Sequence, residues 1–433
     1  MKRMKRSLAG ILCLAVMALS LAACGAREEQ PAALDAGFRP ALDTQTACEI
    51  HAVGNYNNFE ALEAEFDRFN AYYPNVSLSY TVLDNYNDTI VAALSAEDAP
   101  DLFCAFPWMP YQERYDPLFA AAEDLSDPSL HIDAGCIRSG LIYRDAQGRV
   151  PMLPVFSSSY GMLVNEDIFE REGISVPTTY SSFLDACEKL KAAGYAGPVI
   201  TYNSSFLMCF PMVFPYFYAT IRDNAEAVRA LNAMEPSAGE YLRPSLELAA
   251  DFMRYGYIDM DESNALENNY QALILRFFEG DVPMIFVNGD IVSGTAKRES
   301  LSQAFTERPF TYGFYPIPAT EEGCYFLNIV SMEFAVNKNS EQLDMTNEFM
   351  RFLIRPGELN ELARVKRLLT TSADFSHDGM YASFIGVDAD HTIYEQDLGL
   401  QDPPIIQVRQ AVWQVESGNM SIEEAVKAFG TLE

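Results

Sequence analysis

Positive charge is what this chain has least of. Against 61 Asp and Glu stand 30 Lys and Arg, a formal net charge of −31. A surface of that sign repels phosphate backbones and anionic lipid headgroups, which excludes nucleic acid and electrostatic membrane adsorption. Histidine is sparse, four residues with no H-E-x-x-H among them, so a zinc enzyme is not indicated and no metal or cofactor is expected. The signatures G-x-S-x-G, G-x-x-x-x-G-K and G-x-G-x-x-G are absent, as is any C-x-x-C pair. Tryptophan occurs twice, at Trp108 and Trp413, so flat rings must come mainly from the 23 Tyr and 28 Phe. Past the N-terminus no uninterrupted apolar run approaches the roughly 20 residues of a membrane span. The stretch Phe206 to Ala219 is broken by Pro211 and Pro215 and reads as core or cleft wall.

What is present is enough for large cores, with 49% apolar and 12% aromatic residues in 433. That length exceeds one compact core, so two domains are expected. Ahead of them, Lys2, Arg3, Lys5 and Arg6 precede an uncharged apolar run from Leu8 to Ala23, the pattern of a secretory signal peptide. The run ends in Leu21-Ala22-Ala23-Cys24-Gly25, which resembles the bacterial lipobox, where a peptidase cuts before a lipidated cysteine. A diacylglyceryl group on Cys24 would supply the two acyl chains that stable anchoring needs. Residues 1–23 are therefore read as signal peptide and 24–46 as a lipidated tether, with the body outside the cytoplasm. Cys48, Cys104, Cys136, Cys187, Cys209 and Cys324 mostly sit in apolar stretches and read as buried thiols more readily than as disulfides.

The body opens with a strand, Glu49 to Gly54, followed by Phe59, Leu62, Phe66 and Phe69 at helical spacing. Val76, Leu78, Tyr80 and Val82 then alternate with polar residues as a half-buried strand does, and a helix leads to the buried run Leu102 to Phe106. Strands alternating with helices imply an α/β fold with a mostly parallel sheet, its ligand groups at the carboxyl ends of the strands. The pattern restarts at Tyr160, and later strands are expected at Val282 to Val287 and around Val330 to Val336. A helix from about Ile405 to Glu416 and a capping box, Ser421 with Glu424, close the chain.

Several segments together resemble a known family, the extracellular solute-binding proteins of ABC importers in the group that includes maltose-binding protein. These are Ala99-Pro100-Asp101-Leu102-Phe103, Gly148-Arg149-Val150-Pro151-Met152-Leu153-Pro154, Tyr160 to Phe169, Pro177 to Phe183, Phe278 to Met284 and Gly418 to Ala425. Their order, behind a lipobox and across roughly 48–430, carries the resemblance. It implies a two-lobed, type II periplasmic-binding-protein-like fold with discontinuous lobes, 47–156 with 289–337 and 157–288 with 338–433. The crossing segments are expected near Val155 to Ser159, Val287 to Asp290 and Val336 to Asn339. One departure stands out: where the family strand runs into Gly and Trp, this chain has Asn288-Gly289-Asp290.

Candidate ligand-binding residues follow from strand ends and crossings. Asn55 and Tyr56 lie past the first strand, Phe106 and Trp108 past the third, Tyr160 at the start of the second lobe, Tyr202 and Phe206 after a strand there, and Asn288 and Asp290 at a crossing. Each has a plainer reading as turn, loop or core. The resemblance implies a non-enzymatic, monomeric receptor that captures a carbohydrate of oligosaccharide size and presents it to permease subunits. A polyamine, a peptide or another small solute is the alternative ligand. A secreted glycoside hydrolase, which also needs aromatics and paired carboxylates, is the competing class. The anchor is directly testable: Cys24→Ala is expected to release the protein into the medium, and a variant that stays membrane-bound through a high-salt wash refutes it.

Overall fold

A computed structural model describes residues 37–56, 59–201, 210–266, 269–375 and 379–432. Cys24, Tyr202, Phe206 and Cys209 lie outside the described residues. The strands and helices all belong to the compact unit that begins at Arg39.

Strand β1, Cys48–Gly54, runs parallel to β2, Val76–Val82, with Cys48 opposite Val76 and Gly54 opposite Val82. The helix Glu60–Asn70 connects them and buries Leu62, Phe66 and Phe69, the stripe its spacing predicts. On the other side β1 pairs in parallel with β3, Leu102–Ala105, whose four residues are all buried. Two further strands follow almost without a break: β4, Leu153–Ser158, and β5, Tyr160–Asn165, separated by Ser159 alone. After them come β6, Val199–Ile200; β7, Met284–Asn288; β8, Tyr312–Tyr315; β9, Ile317–Thr320; β10, Gly323–Val336; and β11, Thr392–Tyr394.

These strands form two sheets. The larger has the order β11-β10-β3-β1-β2, with β4 and β9 also paired to β10, and the smaller runs β6-β7-β5-β8. Both are mixed rather than mostly parallel, because β10 lies antiparallel to β3, β4 and β9, and β5 lies antiparallel to both of its neighbours. The opening units, with their helical crossovers, have the parallel arrangement that strand-helix alternation predicts, and β6 with β7 and β10 with β11 are parallel pairs as well.

The chain passes between the sheets at Ser159, and again along β10. The first half of β10 places Leu327 beside Ile393 of β11, in one core with Ile317, Met162 and Phe286. Its second half sets Phe334 opposite Cys104 and Leu153. The expected boundaries fall differently at two places. At Asn288 the chain runs straight into the helix Gly289–Ser293, whose Ile291 and Val292 share a core with Leu163 and Ile285, so it stays with the smaller sheet as far as β8. Past Val336, Asn337 donates its N–H to the Asp101 carbonyl at 2.8 Å. The helices Leu343–Leu353 and Pro356–Lys366 then pack on the first helix through Phe66 and Phe349, 5.2 Å between ring centroids, and through Arg68 and Glu358 at 2.8 Å. Segments 338–366 therefore belong with the larger sheet. Apolar periodicity shows that a helix has a buried face but not which of two cores receives it.

Glu333, on β10 opposite Ala105 and Pro154, is fully buried, and neither carboxyl oxygen meets a hydrogen-bond partner among the described residues. Burial alone pushes its pKa up from 4.5 to about 8. Below pH 4.5 folded and unfolded chains both hold this proton. Between there and pH 8 only the folded chain does, so stability falls as pH rises through that window and levels off above it. At about 1.4 kcal/mol per unit, the loss at neutral pH is roughly 3 kcal/mol. Glu333→Gln should remove this pH dependence: in urea titrations the wild type loses about that much more than the variant between pH 4.5 and 7. Equal slopes would refute the assignment.

Candidate functional site

Gly54 ends β1 where the backbone passes close against Tyr80 and Cys104; a Cβ there would meet the Tyr80 hydroxyl and sit 2.6 Å from the Cys104 sulfur. Only glycine permits that approach, and it delivers Asn55 and Tyr56 to the carboxyl end of the sheet. Beside them β3 runs out into Phe106, Pro107 and Trp108. From the other sheet come Tyr160, at the start of β5, and Asn288, its neighbour across the strand pair at the end of β7. Together with Asp290 these residues line one cavity of about 480 Å³. Seven of the nine candidates thus meet in one place: Asn55, Tyr56, Phe106, Trp108, Tyr160, Asn288 and Asp290. Tyr202 and Phe206 lie outside the described residues.

The rings of Phe106 and Trp108 are nearly coplanar in orientation, 5° between planes and 6.0 Å between centroids. Both are half-buried. Edge contacts from Tyr86 to Phe106 at 6.1 Å and from Tyr115 to Trp108 at 5.5 Å brace them from behind. Tyr86 is itself pinned by its hydroxyl, which donates to the Cys104 carbonyl at 2.5 Å. The pair is therefore a pre-set flat apolar surface rather than two free side chains.

Polar groups supply the rest. Asp290 Oδ1 accepts from the Ser331 hydroxyl at 2.7 Å, tying the smaller sheet to β10, and its remaining carboxylate surface is open to the cavity. Surrounding protein nevertheless crowds it, and desolvation raises its pKa against the lowering effect of Ser331. Asn288 spends its side-chain oxygen on capping the next helix, accepting from the Ile291 N–H at 3.1 Å, so only its amide nitrogen remains to be offered. Tyr160 is 5% exposed and packs edge-on against Phe214 at 5.4 Å, which makes it as much core as cavity wall. Burial raises its pKa to about 12. Gly289, between the two polar residues, cannot carry a Cβ without meeting the Tyr381 hydroxyl, and its N–H donates to Ser159 at 2.9 Å.

Half of the polar equipment escaped the sequence reading. Glu395, Gln396, Asp402 and Arg409 line the same cavity from a segment near the end of the chain, and Ser331 and Tyr111 line it from elsewhere. Glu395 accepts from the Tyr218 hydroxyl at 2.7 Å. Burial raises the pKa values of Glu395 and Asp402, and the Arg409 guanidinium opposes the rise at both. Gln396 has neither amide atom hydrogen-bonded among the described residues, although both atoms are buried. The one available signal was a guanidinium at Arg409, four residues after Ile405 on a helix whose Ile405, Val408 and Val412 are buried. A cation on the inward face of a helix needs anions nearby. Asp259, by contrast, is spent on capping the helix Met260–Ala265.

A larger hollow of about 630 Å³ beside β8 is less suited to a ligand, because its charged groups already serve one another. Arg367 holds Glu299 at 2.7 Å, and Tyr315 donates to Glu166 at 2.6 Å.

The model of the family "Bacterial extracellular solute-binding protein" matches residues 54–359. The chain belongs to that family. Among curated relatives, the melibiose/raffinose/stachyose-binding protein MelE of Bacillus subtilis (strain 168) is 22% identical over 341 residues, covering 76% of this chain and 74% of MelE. Apo RafE from Streptococcus pneumoniae superposes with a TM-score of 0.70 at 17% identity, over 90% of this chain and 98% of RafE. A family 1 extracellular solute-binding protein from Bifidobacterium longum subsp. infantis gives 0.65 at 15% identity, over 89% and 98%. The fold is accordingly the two-lobed type II solute-binding fold. As a solute-binding protein the chain is a receptor and not an enzyme, which removes the glycoside hydrolase reading.

Proposed function

We propose that this solute-binding protein captures a carbohydrate of oligosaccharide size in the cavity between its sheets and presents it to the permease of an ABC importer, anchored by lipid on Cys24. The observation that carries this reading is the pairing of a flat apolar surface, Phe106 with Trp108, and a polar wall, Asp290, Glu395, Gln396, Asp402 and Arg409, within one cavity. A pyranose has the matching character: a C–H face that lies on a ring, and a rim of hydroxyls that donate to carboxylates and accept from a guanidinium. The volume of about 480 Å³ lies within the ~300–1,000 Å³ of small-molecule sites. The relatives point the same way, MelE through its named sugars and RafE through its structure in complex with raffinose.

Because the lining comes from both lobes, a ligand that touches both favours the closed arrangement, and closure is the signal a permease can read. A thermal-shift screen over oligosaccharides, polyamines and short peptides tests the reading. A sugar at about 100 times its Kd adds about 2.7 kcal/mol of stability, whereas a response confined to polyamines or peptides overturns the carbohydrate assignment. With the sugar that responds, Trp108→Ala should weaken binding by about 1–3 kcal/mol while leaving the fold intact. Scattering at saturation should show a smaller radius of gyration than the free protein; an identical radius refutes closure.

A further inference from the structure

The charges that line the cavity do not balance. Three carboxylates, Asp290, Glu395 and Asp402, face one guanidinium, Arg409, which leaves 1 − 3 = −2. Arg409 acts on Glu395 and Asp402. Among the described residues the hydrogen-bond partner of Asp290 is the Ser331 hydroxyl, and no Lys or Arg is paired with it. The Lys366 ammonium stands 4.8 Å from the Tyr56 ring centroid and is not part of the lining.

A neutral sugar would leave this arrangement poorly compensated. Its hydroxyls can satisfy carboxylate lone pairs, but cleft closure would strip water from a net negative site without returning any positive charge. A cation seated there would regain by pairing what closure removes. The surroundings suit one, since the aromatic residues Phe106, Trp108, Tyr56 and Tyr111 line the same space. The buried amide of Gln396, without a hydrogen-bond partner among the described residues, adds two donors and an acceptor for hydroxyl or amine groups.

We propose that the oligosaccharide this cleft selects carries at least one free amine, bound as an ammonium against Asp290, with its sugar ring on Phe106 and Trp108. The ligand class is thus an amino sugar with its nitrogen unacylated. This rests on the carbohydrate reading and narrows it. The chemistry that recognises the ligand is an ion pair in a desolvated site, with the ring face supplying the shape.

Matched probes separate the two levels. Glucosamine oligomers of two to four units and their N-acetylated counterparts have the same ring number and differ in the charge on nitrogen; raffinose serves as a neutral sugar of similar size. Titration calorimetry should show the free-amine oligomer binding at least about 10-fold more tightly than its acetylated partner, or about 1.4 kcal/mol. Asp290→Asn should shrink that preference to within about 2-fold. Asp402→Asn, in a carboxylate that Arg409 already compensates, should keep most of it, which guards against a variant that merely loosens the cleft. Raffinose or the acetylated oligomers binding as well as the amines would overturn the proposal while leaving the carbohydrate reading intact. An amine preference that survives Asp290→Asn would overturn the assigned partner. Binding of spermidine with no response to any sugar would overturn both.

Discussion

The register of β10 is the constraint on which the rest depends. One extended strand must satisfy β9 and β11 at Tyr325 and Leu327, and then β3 and β4 at Phe334. A slip of one residue would turn Met332, which meets the Cys104 sulfur at 3.5 Å, out of the larger core and would bring Ser331 away from Asp290. The two irregularities in the β4 pairing, between Val330 and Met332 and between Met332 and Glu333, fall where the strand passes between lobes. Extra twist at such places redirects a strand without breaking it. The buried acid at Glu333 sits at the same passage, so the strand that joins the lobes also carries an unpaired polar group in its core.

The site inherits its stiffness from that frame unevenly. On the larger sheet the rings are held by packing, from Tyr86 and Tyr115, and by the close pass at Gly54. On the opposite side the polar groups are held by one another: Tyr218 orients Glu395, and Arg409 bears on both acids. An apolar surface braced by a core keeps its shape when wet or dry. A buried charge network strengthens as water leaves, because the same charges interact in a lower dielectric. If the cleft closes as proposed, the two halves would divide the work, one supplying shape while it is open and the other gaining strength as water leaves.

Much of the architecture was legible where a local pattern has one physical solution. The alternation Val76, Leu78, Tyr80, Val82 locates β2 at both ends, and the Ser421 and Glu424 pair locates the last helix start, where the Ser421 hydroxyl accepts from the Glu424 N–H and the Glu424 carboxylate accepts from the Ser421 N–H. Strand ends and a family likeness were enough to bring seven residues to one cavity. What stayed hidden was long-range. Glu395 stands in sequence beside Tyr394 and near Asp397 and reads as a solvated acid; only the fold carries it across to Tyr218 and Asp290. The lobe to which 338–366 belongs was likewise undetermined, since Phe349 at helical spacing would fit either core and only the packing on Phe66 decides. Asn288 shows the reverse case, a residue that does line the cavity but whose oxygen is consumed by a cap that its N-cap position, three residues before Ile291, makes available.

The rarity of tryptophan has a practical side. One of the two indoles, Trp108, stands in the cleft with Phe106 alongside and Tyr115 at its edge, while the other belongs to the helix Asp402–Glu416. Indole emission responds to the polarity and hydration around the ring. With so few emitters to average over, a solute bound in the proposed cavity would change the natural fluorescence of the chain, and its occupancy could be followed without any attached dye.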